Sequence, residues 1–141
     1  MADEAEILYQ KTVILVSPEG EIAGHLFAAM SGPGYTVRIS WNEHASEHTA
    51  WNLFVALVNV RRDLENHGLI PAVEGACRDV YPSRMALEMG GGRRAQLWTT
   101  PSIRPSTVDV FADVPPPGWV RLSSVIDQEN AHTERKSRSI G

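Results

Sequence analysis

The sequence predicts a single α+β domain: a mostly antiparallel sheet of about five strands, one long helix, one short helix, and a C-terminal helix packed on the sheet. Three observations carry this. The first 41 residues hold β-rich runs broken by tight Pro/Gly turns. A sustained apolar stripe at helical spacing follows between Trp51 and Leu64. A chain of 141 residues with 43% hydrophobic content is sized for one core.

Lys11 to Ser17 (KTVILVS) is apolar and β-branched and reads as a strand. Pro18-Glu19-Gly20 turns the chain, Ile22 to Met30 forms a second strand, and Ser31-Gly32-Pro33-Gly34 breaks it again. In Tyr35 to Trp41 the odd positions Tyr35, Val37, Ile39 and Trp41 are apolar, which marks a half-buried antiparallel strand. The long helix follows, with Ser46 as its N-cap. Leu53, Leu57, Val60 and Leu64 form its buried stripe, widened by Trp51, Phe54 and Val58. Arg61 and Glu65 form an exposed i,i+4 pair, and Gly68 stops the helix.

Leu69 to Ala76 reads as a strand held at an edge by Pro71. Pro82 opens a short helix to Met89, since its missing N–H is no loss in the first turn. Gly90-Gly91-Gly92 ends that helix, with Gly90 as the left-handed C′ residue. Ala95 to Thr100 and Val108 to Phe111 are further strands. The run Pro115-Pro116-Pro117-Gly118 is a stiff loop. Ser123 or Ser124 caps a final helix to about Glu134, with Ser124-x-x-Asp127 a partial capping box. The domain spans 1–134, and the basic, polar segment 135–141 is a flexible tail.

The formal net charge is −4, which disfavours nucleic acid as a general partner. Residues 1–70 hold nine acids and four bases (−5), residues 71–100 three and four (+1), and residues 101–141 five and five. The lone Cys77 excludes an internal disulfide and fits a reducing compartment. The acidic start MADEAEILYQ is no secretory signal, and no apolar run approaches a membrane span. Together these predict a cytoplasmic protein with no membrane partner.

The chemically dense stretch is Glu74 to Trp98. Arg78, Asp79, Tyr81, Ser83 and Arg84 cluster at a helix start, where backbone N–H groups attract negative charge. Gly90, Gly91 and Gly92 leave amides to cradle an anion, with Arg93 and Arg94 beside them. The alternative is a tight connection with solvated arginines. The spacing is neither GxGxxG nor a P-loop, so no nucleotide cofactor is implied. Ser83 has no GxSxG elbow and reads as a capping residue. His44 and His48 would share a helical face at zinc-binding spacing. A third ligand is missing, so no metal is expected. Cys77 beside Arg78 is either a thiol of lowered pKa or a small core residue. Trp119, after the proline run, is the tryptophan expected to be partly exposed.

W-N-L-F (51–54), the Arg61-Arg62 pair with Leu64-Glu65 and Gly68, E-G-A-C-R-D-V-Y-P-S-R-M (74–85), M-G-G-G-R-R-A (89–95), V-D-V-F (108–111) and Asp127-Gln128 form a pattern. Over about residues 51–130 it resembles a group of small bacterial proteins similar to the immunity-type proteins of polymorphic-toxin and contact-dependent inhibition systems. The resemblance implies a non-enzymatic protein that neutralises a toxin by direct binding, and it carries no catalytic residues. The acidic first half suits a basic partner, with Trp119, Tyr81 and Arg84 as contact candidates. The other reading is a small enzyme or binding protein that holds a phosphate or carboxylate at the Gly90–Arg94 corner.

Overall fold

The computed structural model describes residues 6–98 and 106–140. Within them the fold is α+β. Strands β1 (Glu6–Ser17), β2 (Gly20–Ser31), β3 (Gly34–Trp41) and β4 (His44–Ala50) form an antiparallel meander. A two-residue strand, β5 (Ile70–Pro71), pairs with β1 and completes a five-stranded sheet in the order β4-β3-β2-β1-β5. Pro71 thus lies on an edge, where its missing donor costs no ladder bond. A second, three-stranded sheet is built from β6 (Val80–Tyr81), β7 (Arg94–Leu97) and β8 (Ser106–Asp109). Eight strands in two sheets therefore stand where the sequence predicted about five.

One face of the large sheet carries Val13, Leu15, Leu26, Ala28, Val37, Ile39 and Trp41, all buried. Helix α1 (Leu53–Glu65) lies on that face and buries Leu53, Phe54, Leu57, Val60 and Leu64, as its stripe predicts. Each such side chain contributes about 1.5–3 kcal/mol of burial. The core continues through Val73, Ala76, Val80, Val110, Phe111 and Val125 to the second sheet and the C-terminal helix.

Several local expectations are corrected. The helix does not begin at Ser46: residues 44–50 form β4, and Asn52 is the cap, its side chain accepting from the Val55 amide. The inward positions of β4 include Ser46 and His48, which both bond to Asp63 on α1 (2.7 Å each). His44 and His48 are therefore not helical neighbours, and His44 instead stacks on Trp41. The 69–76 stretch pairs with the large sheet only at β5, forms a single bridge from Val73 to Asp113, and then coils into a 3-10 turn at Glu74–Ala76. Trp51, assigned to the buried stripe, is exposed.

The short helix α2 (Arg84–Met89) has Ser83 as its cap, accepting from Ala86 N–H, so Pro82 stands before the cap rather than inside the first turn. Strand β7 is Arg94–Leu97; Thr99 and Thr100 lie outside the described residues. Strand β8 ends at Asp109, two residues before the predicted end. The proline run leads into a 3-10 helix, Pro116–Arg121. Ser124 Oγ accepts from the Asp127 amide at the start of α3 (Val125–Ile140). That helix continues past Glu134, through most of the segment read as a tail.

The largest correction concerns Arg61, read as a solvated partner of Glu65. It is 1% exposed. Its guanidinium donates to Gln128 Oε1 (2.6 Å), Gly75 O and Ser123 O (3.1 Å each). Gln128 Nε2 in turn donates to the carbonyls of Gly75, Cys77 and Val80 at 2.9–3.0 Å. This network ties α1 and α3 to the chain between the two sheets. Burial pulls the Arg61 pKa down to about 10, so it stays charged at neutral pH.

Candidate functional site

The glycine run explains itself through α1. Gly91 and Gly92 take φ of +69° and +73°, while Gly90 sits at −106°. The left-handed positions are thus the second and third glycines, not the first. Gly91 O accepts from the Leu53 amide at 2.6 Å, satisfying one of the orphan donors at the start of α1. A Cβ on Gly92 would stand 2.7 Å from Asn52 Oδ1 and 2.9 Å from Phe54 N. The loop is glycine because it must lie directly on the first turn of a neighbouring helix.

That packing also decides where the loop amides point. Gly90 N–H and Gly92 N–H both donate to Ala86 O at 3.0 Å. The anion cradle expected from Gly90, Gly91 and Gly92 has these two donors turned back onto α2.

The charged residues of the predicted site have separate partners. Arg84 is exposed and pairs with Glu88 along α2 (3.3 Å). The Arg93 guanidinium lies 5.4 Å above the Tyr9 ring. Arg94 Nη2 donates to Thr107 O (3.0 Å) and Oγ1 (2.8 Å). Arg78 is exposed, and its amide donates to Arg121 O. Asp79 is held by Arg121, which also grips Glu74 (2.6 Å). This triad is half-buried and clamps the 3-10 helix that carries Trp119. Trp119 is itself half-buried, with Nε1 donating to Val114 O. Ser83 Oγ is the α2 cap. Cys77 is fully buried, and burial pushes its thiol up to about 12, so it is the core residue of the two readings.

Tyr81 meets Phe54 edge-on and stacks flat on His132 of α3, the rings 3.8 Å apart at 7°. Burial, and then the charges of Arg135 and Lys136, hold the His132 pKa below its ordinary 6.5. The unfolded chain therefore takes up this proton first as pH falls. The stabilising contribution is present above about pH 6.5 and is lost as pH drops from there through the folded ring's lower pKa. His132→Phe keeps a stacking ring and removes the titration. Denaturant melts at pH 7.5 and 5.5 should show a smaller loss for this variant than for wild type; equal losses would remove His132 as a source.

What the residue pattern did not reveal is an exposed apolar set beside this corner. Met85 and Met89 are 69% and 81% exposed and share a face of α2 at i,i+4; Trp51 is 57% exposed. Trp51 and Met89 each lie two residues before the groups joined by the Leu53–Gly91 hydrogen bond, so the glycine contact brings their segments together. Helix α2 rests on half-buried Ala86 and Leu87 and buries no residue completely.

A second feature is a shallow trough on the uncovered face of the large sheet, about 340 Å³, where Phe27 is flanked by His25, Arg38, Ser40 and Glu47. Arg38 and Glu47 are loosely paired at 3.8 Å. Among the described residues no group of three or more His, Cys, Asp or Glu side chains could hold a metal ion, and no helix is long and apolar enough to cross a membrane. The chain matches no protein-family model and no curated protein sequence.

Proposed function

We propose that this chain is a non-enzymatic protein-binding module that meets its partner through the α2 corner. In line with the sequence resemblance, we propose that it is an immunity protein neutralising a toxin by direct binding. The observation that carries the reading is the outward face of α2, where Met85 and Met89 are exposed alongside Trp51. Six residues cannot hold a helix in water by themselves. This one is kept by the Ser83 cap, by Leu87 on the core and by the glycine clamp on α1. Those supports hold two flexible thioethers largely in solvent in the free chain.

Methionine adapts to irregular partner surfaces, and tryptophan is enriched among residues that dominate binding energy. Arg84, Arg93 and Arg94, all exposed, supply a polar rim. Tyr81 and Trp119, named from the sequence as contacts, act here as supports, each half-buried on an internal partner.

The test is co-expression with the product of the adjacent gene. Wild-type protein should rescue growth from a toxic neighbour and co-purify with it. Met85→Glu/Met89→Glu should lose rescue while melting within a few degrees of wild type, because neither side chain is buried. Full rescue by that variant, or a harmless neighbour that does not co-purify, would contradict the proposal.

A further inference from the structure

The opposite end of α1 carries a second surface. The antiparallel meander places the β1–β2 turn and the β3–β4 turn at the same end of the sheet. Helix α1 ends there too: the His67 ring lies 5.2 Å from Trp41 and 5.1 Å from His44. Thirteen helical residues put this end about 20 Å from the glycine clamp.

Between the β1–β2 turn and the end of α1 lies an open cleft of about 440 Å³. Val16, Pro18, Leu69 and Ile70 make it largely apolar, and Glu65 is its one ionisable lining residue. Glu65 Oε2 accepts from the Val125 amide at 2.7 Å, which fixes the carboxylate in place. Glu19 stands on the turn that walls the cleft, Glu21 at the start of β2 opposite Val16, and Glu43 on the neighbouring turn. Opposing charge is scarce. Between Lys11 and Arg61 the sequence holds one Lys or Arg, Arg38, and it pairs with Glu47. Arg61 is buried in its own network, and Arg62 pairs with Glu129.

We infer that this cleft receives an arginine or lysine side chain of a basic partner protein. An apolar slot with a fixed carboxylate matches a side chain whose stem is aliphatic and whose tip is a cation. The surrounding acids add attraction before contact. This surface is separate from the methionine corner and stands without it.

The experiment is an amide NMR titration of the whole chain with the blocked pentapeptide Gly-Ser-Arg-Ser-Gly and two analogues, with citrulline or norleucine in place of arginine. The arginine peptide should shift the amides of Ser17, Gly68, Leu69 and Ile70. Citrulline keeps the shape without the charge and should bind about fivefold more weakly or worse. Glu65→Gln keeps an acceptor for Val125 and should cost a similar factor. Glu19→Gln/Glu21→Gln, at the exposed end of the β1–β2 hairpin, tests the same charge without touching α3 and should also weaken binding. Equal binding by the citrulline or norleucine peptide would overturn cation recognition. Shifts confined to other amides, or none, would overturn the site.

Discussion

Arg61→Ala is expected to lower stability by about 3–5 kcal/mol, since three buried acceptors each lose a donor at a cost of about 1–3 kcal/mol apiece. That corresponds to a fall in Tm of about 10 °C or more for a domain of this size. The reason lies in what Arg61 leaves behind. Gln128 Oε1 and the carbonyls of Gly75 and Ser123 lose donors in a dry site. Buried ion pairs can often be exchanged for apolar side chains, but here many of the acceptors are main-chain carbonyls and no substitution removes them. Arg61→Met should therefore be nearly as damaging as Arg61→Ala. Gln128→Leu takes one donor each from the carbonyls of Gly75, Cys77 and Val80, of which Gly75 O keeps Arg61 Nη1 and Cys77 O keeps the Val80 amide. The double variant should lose less than the two single losses combined, because both act on one network. Chemical denaturation of the three proteins decides it. Additive losses, or an Arg61→Ala loss under 1 kcal/mol, would mean that the network is not a unit.

Gly92→Ala should cost about 2–4 kcal/mol, from a left-handed backbone combined with a clash. The added methyl would fall 2.7 Å from Asn52 Oδ1 and 2.9 Å from Phe54 N, inside any ordinary contact. Gly90→Ala has φ of −106° and a nearest approach of 3.1 Å to Ala86 O, so it should cost about 1 kcal/mol or less. The order matters more than either value. If Gly90→Ala proved the worse of the two, the glycine clamp would be misassigned.

The elements that could be read from sequence are those whose physics is local. The β-branched run at 12–16, the alternation of Tyr35 to Trp41 and the stripe from Leu53 to Leu64 each declare their period, and each forms the expected element. Strand β4 did not declare itself because two of its inward residues, Ser46 and His48, are polar. They are satisfied by Asp63, which is distant in sequence. Arg61 was misread because a buried arginine is rare and Glu65 offers a ready partner one turn away. Its true partner, Gln128, lies 67 residues on. The triple glycine was recognised as backbone in close approach, but the thing approached, the start of α1, is set by tertiary packing. The same holds for Met85 and Met89: a short apolar pair at i,i+4 has the same pattern whether it faces the core or solvent.

The most direct measurement of the binding account is methyl NMR of the chain labelled at methionine Cε, alone and with the neighbouring gene product. The structure gives free-chain Met85 and Met89 exposed side chains, so their methyl signals should be sharp and near random-coil positions. On addition of the partner both should shift and become protected from a soluble paramagnetic agent, together with the indole N–H of Trp51. If a stoichiometric complex forms while Met85, Met89 and Trp51 keep their free-state signals and accessibility, the α2 corner is not the binding surface.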